Sequence, residues 1–124
     1  MTFRGTSEPG RLGRVTTRSH DALTIDLDDL PLAAPDVRAG RPAAGIATLH
    51  DDLGVEIGVW ELTEGTVTDT EADEVFVVVA GAGSVGFADG EQVELRPGVV
   101  VRLHAGERTT WTITETLRKV WVGP

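Results

Sequence analysis

The chain has 124 residues, one domain's length, and its 40% hydrophobic and 25% charged residues exclude a disordered polymer. It contains no cysteine, which excludes disulfides, thiolate metal sites and cysteine nucleophiles. A net charge of −9 argues against nucleic acid and anionic membranes as partners.

The charge is unevenly spread. Residues 1–20 carry Arg4, Arg11, Arg14 and Arg18 against Glu8, a net of +3. Residues 21–74 hold fourteen acids against Arg38 and Arg41, a net of −12. The first twenty residues show no periodicity and are expected to form a loosely ordered polar arm. The longest apolar run, Val75 to Gly83, is too short to cross a bilayer, so a soluble, cytoplasmic protein is expected.

Residues 21–45 contain Pro31, Pro35 and Pro42, which break any long helix. Leu23, Ile25 and Leu27 alternate and predict one short strand; Leu30, Leu32 and Val37 can pack extended on a core or on a partner. From residue 46 to 124 the pattern is that of an all-β domain. Short runs rich in Val, Ile, Thr and Trp alternate with turns marked by glycine or acids. Strands are predicted near 46–50, 55–62, 66–70, 74–80, 84–88, 91–95, 99–103, 109–114 and 117–122. Asp89-Gly90 predicts a two-residue type I′ hairpin. In the run from Glu74 to Ala80 both alternating sets are apolar after the glutamate, and Val99, Val100 and Val101 repeat the effect. A sheet with one wet face alternates apolar and polar, so something covers the outer face. Residues 21–45 or a second subunit can do so, and a homodimer is expected.

Glu74 followed by Gly81, and Gly98 followed by His104-Ala105-Gly106, resemble the two motifs of the cupin superfamily. The flanks Gly58-Val59-Trp60-Glu61 with Gly65, and Trp111 with Glu115, Arg118 and Lys119, narrow the resemblance. They are similar to the small single-domain cupins grouped with ureidoglycine aminohydrolase and the ethanolamine-utilisation cupin proteins. The resemblance implies an all-β fold, a conical barrel or jelly roll of two antiparallel sheets with a pocket between them. Many cupins bind a divalent metal through three histidines and a glutamate. By motif spacing those positions fall here on Thr68, Thr70, Glu74 and Thr109, and only Glu74 keeps its identity. A threonine hydroxyl is a poor transition-metal ligand. His20, His50 and His104 lie on unrelated turns without metal-ligand spacing, so no metal and no cofactor are expected.

The candidate ligand-binding residues are Thr68, Thr70, Thr109, Trp60, Glu61 and Trp111, with the tryptophans able to stack on a planar or sugar-like ligand. Thr68, Thr70 and Glu74 share parity on an extended chain. Glu74, in an apolar pocket, is the candidate general acid or base, with Glu61 as a possible second carboxylate. Glu71 and Asp73 are expected to face water. Arg118 and Lys119 project to opposite faces, one pairing with Glu115 and the other meeting solvent or an anionic ligand. Three functions fit these residues. The first is a metal-independent cupin that binds a small polar molecule. The second is a small-molecule metabolic enzyme of ethanolamine-utilisation or ureide type using Glu74. The third is a structural or regulatory dimer with a filled barrel.

Overall fold

The computed structural model describes residues 17–124; the basic arm therefore lies outside the described residues except for Thr17 to His20. Among the described residues nine strands run in chain order: β1 (Asp28–Leu30), β2 (Val37–Gly40), β3 (Ala44–His50), β4 (Glu56–Leu62), β5 (Gly65–Thr70), β6 (Glu74–Phe87), β7 (Gln92–Leu95), β8 (Val100–Leu103) and β9 (Arg108–Gly123). One 3-10 turn, Ala34–Asp36, starts at Ala34-Pro35, where proline's fixed φ suits a helical first turn. Among the described residues no helix is long and apolar enough to cross a membrane.

The strand pairings fold this set into a two-sheet jelly roll. One sheet has the order β1-β3-β4-β9-β6-β8, using residues 117–123 of β9 and the first half of β6. The other runs β2-β5-β9-β6-β7, using residues 108–113 of β9 and the second half of β6. Every pairing is antiparallel. The two long strands pass from one sheet into the other and close the fold. The predicted strands 74–80 and 84–88 are therefore one element, as are 109–114 and 117–122.

The bend in β6 has a local cause. Its register against β9 slips between Val78 and Gly83, so Glu74, Phe76 and Val78 face inward before it and Gly83, Val85 and Phe87 after it. Gly81 sits in this kink at φ +92°, and a Cβ there would collide with the backbone of Thr116 and Leu117. Glycine alone accepts both the left-handed backbone and the close approach.

Two local expectations change. Leu23, Ile25 and Leu27 do not form a strand, because the Asp21 carboxylate accepts the Leu23 N–H and its carbonyl accepts the Ile25 N–H, curling the chain into a turn. The β6–β7 hairpin is not type I′. Gly90 has φ +94°, but no non-glycine residue among those described has positive φ, so Asp89 cannot supply the second left-handed position. The Gly90 N–H bonds to the Phe87 carbonyl, giving a longer loop closed by a left-handed glycine.

The segment before residue 46 is built into the sheets. β1 pairs with β3 and β2 with β5, so it supplies an edge strand to each sheet. The core lies between the sheets and includes Trp60, Leu62, Phe76, Val85, Trp111, Ile113, Leu117 and Trp121, all buried. Gly58 leaves room for the Trp121 ring, which would overlap a side chain at that position.

Candidate functional site

Strand β9 organises the interior. Thr109, Trp111, Ile113, Leu117, Lys119 and Trp121 are buried on one face, while Thr110, Thr112 and Thr114 between them are exposed. Alternation of side chains along a strand then places Lys119 inside the fold. Its Nζ donates to Glu74 Oε2 at 2.5 Å, and both side chains are only 1% exposed. The rings of Phe76, Trp60 and Trp111 surround the ammonium at 4.3, 4.6 and 4.8 Å to their centroids. Each aromatic face presents negative charge density to the cation.

A second buried carboxylate lies beside this cage. Glu71 Oε2 accepts from the Thr109 hydroxyl at 2.6 Å and from the Trp111 indole N–H at 3.1 Å. Both donors sit on the inward face of β9, so Thr109 acts as an internal polar bracket.

These arrangements correct three expectations. Glu71 is buried rather than solvated, because two donors on β9 satisfy it. Lys119 meets neither solvent nor an anionic ligand; strand parity turns it onto Glu74. Arg118 pairs with Glu61 at 2.8 Å rather than with exposed Glu115, since Glu61 is its cross-strand partner on β4. Asp73 remains partly exposed, with its carboxylate on Arg102 and the Ala105 N–H.

The other sequence candidates separate by face. Val67 pairs with Trp111 and Asp69 with Thr109, so those side chains share the interior. Thr68 and Thr70 pair with Thr110 and Arg108, on the opposite face. Their shared parity with Glu74 is broken by the loop 71–73. Thr70 is exposed, while Thr68 Oγ1 reaches Asp36 at 3.4 Å. Glu61 lies on the outer face with Arg118, away from Glu74. The structure thus brings Trp60, Trp111 and Glu74 together around Lys119, with Thr109 attached through Trp111.

Lys119 and Glu71 are the residues that sequence reasoning missed. The signal for Lys119 was present: it continues the odd-numbered inward series Trp111, Ile113, Leu117 and Trp121. Glu71 sits in a three-residue connection, where strand parity gives no direction.

The divalent metal of many cupins does not fit these residues. Thr68 and Thr70 point away from Glu74, Thr109 is committed to Glu71, and Glu74 already holds an ammonium. A dication beside that ammonium would be repelled in a low-dielectric interior. Among the described residues no group of three or more histidines and acids could hold a metal ion.

Beside the cage a cavity of about 160 Å³ opens between the sheets and the β1–β2 connection. Its apolar walls include Leu30, Leu32, Trp60, Leu62 and Trp111. Its polar end is formed by Asp36, Thr68 and Asp69. Trp60 and Trp111 thus divide the Lys119 cage from a space that a molecule can enter.

Comparison with known proteins agrees with this architecture. The chain is similar to the Clostridium difficile EutQ protein, with a TM-score of 0.60 and 18% identity over 76% of this chain and 79% of that one. It is similar to a putative ethanolamine utilization protein Q from Salmonella typhimurium, with a TM-score of 0.60 and 18% identity over 81% and 96% of the two chains. It also resembles an ectoine synthase from P. lautus, with a TM-score of 0.56 and 21% identity over 70% and 66%. Likeness at these identities shows the fold. No curated protein matches the chain by sequence. The sequence profile of the EutQ-like cupin domain matches residues 50–121, which include Glu61, Glu71, Glu74, Trp111 and Lys119, and the chain belongs to that family of small cupins.

Proposed function

We propose that this is a cytoplasmic, metal-independent cupin that binds a small molecule in its barrel, in the cavity walled by Trp60 and Trp111. The observation that carries this reading is the cavity itself: about 160 Å³, mostly apolar, with a few polar groups gathered at one end. Such a lining is the usual composition of small-ligand sites, although the volume suits only a small ligand. Thr68 borders the cavity from the edge of β5, while Thr109 accepts the Trp111 indole N–H and so fixes that ring. Glu74 serves as the counter-ion of Lys119, a role in which its carboxylate is engaged and enclosed.

A thermal-shift series with small molecules, followed by tryptophan fluorescence titration, tests the proposal. A ligand present at a hundred times its dissociation constant adds about 2.7 kcal/mol to stability and raises the melting temperature. Leu32→Trp, which projects bulk into the cavity, should abolish the response while leaving the fold intact. A response undiminished in Leu32→Trp would place the ligand elsewhere. Elemental analysis after purification without chelator is expected to find no stoichiometric zinc, manganese, iron or nickel; one equivalent would overturn metal independence.

We further propose a homodimer. Val75, Val100 and Val122 are 41%, 64% and 40% exposed on the outer face of β6, β8 and β9. Val75 lies opposite Val122, and Val77 opposite both Val100 and Val120, so the valines form two adjacent rows. A second copy presents the same flat β-branched surface, and aligned sheets pack face to face in this way.

A further inference from the structure

Two indoles wall the cavity, and their N–H groups differ. Trp111 Nε1 donates to Glu71 Oε2 and to Thr109 Oγ1, both at 3.1 Å. Trp60 is 4% exposed, and its Nε1–H has no hydrogen-bond partner among the described residues. Its neighbours are of the wrong kind to supply one. The Lys119 ammonium and the Trp111 ring lie against it, and Leu30, Leu32 and Leu62 share the cavity wall with it. An ammonium and an indole only donate, and a leucine side chain does neither. A buried donor left unpaired costs the full desolvation of that group, and nearly all in native proteins are paired. The cavity is the space beside Trp60 from which an acceptor can come.

Resting on the binding function proposed above, we infer that the cavity takes a small neutral carbonyl compound whose oxygen accepts the Trp60 indole N–H. Charge excludes an anionic acceptor. The Asp36 carboxylate borders the cavity, and the Lys119 ammonium is already engaged by Glu74, so a second carboxylate would meet repulsion. A cation would bring donors but no acceptor, and it would be repelled by Lys119. A hydroxyl brings a donor together with its acceptor, whereas a carbonyl oxygen brings the acceptor alone. The leucine walls then receive the apolar body with no further polar atom to satisfy. Lys119 also sharpens the donor. Its ammonium lies 4.6 Å from the centroid of the Trp60 ring, and a cation there draws electron density from the indole and strengthens its N–H. Volume limits the body: a protein cavity of roughly 150 Å³ is filled by benzene, so about six to eight heavy atoms fit here.

Cyclohexanone and methylenecyclohexane share a shape and differ in the acceptor oxygen; cyclopentanecarboxylate is an anionic acceptor of similar size. Each is titrated at pH 7 against the full chain, by ligand-detected NMR for affinity and by the indole N–H signals for contact. The ketone should bind about fivefold more tightly than the hydrocarbon, the worth of one neutral hydrogen bond. It should also move the Trp60 indole proton downfield, which the hydrocarbon should not do. The carboxylate should not bind. Trp60→Phe, which removes the donor and keeps an aromatic wall, assigns that signal by its loss and should erase the preference for the ketone. Equal binding of ketone and hydrocarbon overturns the carbonyl inference and leaves the binding function standing. So does a preference that survives Trp60→Phe, or a carboxylate that binds as tightly as the ketone. If Trp60→Phe does not fold, the native spectrum decides: a ketone that binds without moving any indole proton downfield overturns the inference. Binding of neither ketone nor hydrocarbon also overturns it. If no other small molecule shifts the melting temperature either, the binding function falls with it.

Discussion

Arg118 and Lys119 are neighbours on β9, each paired with a glutamate, and they stand on opposite faces of the sheet. Arg118 meets Glu61 with side-chain exposures of 15% and 28%, and its guanidinium also donates to the carbonyls of Ala22 and Ile25. Lys119 meets Glu74 with both side chains at 1%, inside three aromatic rings. The outer pair fastens a chain segment onto the barrel in partial contact with water, where ion pairs contribute modestly. The inner pair has lost its hydration, so its charges are compensated inside the protein. Chemically similar pairs one residue apart thus do different things. One ties the early segment down, and the other fixes the interior wall on which the pocket rests.

The largest expected effect comes from breaking the inner pair. Lys119→Met removes the ammonium that faces buried Glu74 and should destabilise the fold by about 3–5 kcal/mol, read from urea unfolding. The double variant Lys119→Met with Glu74→Leu removes both charges and should recover most of that loss. Failure of the second change to recover stability would mean that the ammonium acts through its aromatic contacts and not through Glu74.

The outer pair should be less sensitive. Arg118→Ala removes one ion pair and two hydrogen bonds to main-chain carbonyls, and should cost about 1–2 kcal/mol. It should also speed proteolysis near residues 21–25, because the Arg118 contacts to that turn are lost. A loss as large as that of Lys119→Met would erase the distinction between the two faces.

The exposed valines extend the comparison to assembly. The native chain is expected to sediment as a dimer at micromolar concentration. Val100→Glu should convert it to a monomer with a melting temperature close to that of a native chain diluted below its dissociation constant. Val100 is 64% exposed, so the substitution disturbs no core contact. A monomeric native chain would remove the second copy as the cover of this face.

How far these features are legible in the sequence depends on which physical rule governs each. Alternation and turn residues place the strands from residue 46 onward, because a half-buried strand needs period two and a tight turn needs special backbone angles. The joining of two predicted strands into β6 is not legible. Gly81-Ala82-Gly83 reads as a turn, and only its packing on Thr116 and Leu117 shows that the chain kinks and continues. The inward placement of Trp60 and Trp111 is legible from strand alternation, but tryptophan in a small β domain more often packs a core than lines a pocket, and alternation does not separate the two roles. The register of β5 could have been read: in Thr68-Asp69-Thr70 after Val67, the apolar residue marks the inner face and turns both threonines outward. Lys119 follows the inward alternation of β9, but what makes its burial tenable is not local, since lysine and glutamate are rarely buried unless paired. The partner lies 45 residues away, beyond any local pattern.

The smallest effect is expected at the rim of the outer face, where Asp73 accepts the Ala105 N–H at 3.0 Å and lies 3.2 Å from Arg102. The Ala105 main-chain donor first, and then the Arg102 guanidinium, hold the Asp73 carboxyl below its ordinary value. Both interactions favour the ionised form, so folding releases a proton that the unfolded chain would retain near pH 4. A depressed folded-state value contributes stability that is fully present above the unfolded aspartate value of about 3.9 and is lost as pH falls through the folded value. Asp73→Asn keeps the shape and one acceptor oxygen but cannot ionise. Its unfolding midpoint should run parallel to that of the native chain at neutral pH. As the medium becomes more acid than about pH 4, the native chain should lose stability faster than the variant. Because both partners are solvent-exposed, the difference should shrink in high salt. Profiles that stay parallel through the acid limb would mean that solvent screens the rim pair completely, sharpening its contrast with the enclosed pair of Lys119 and Glu74.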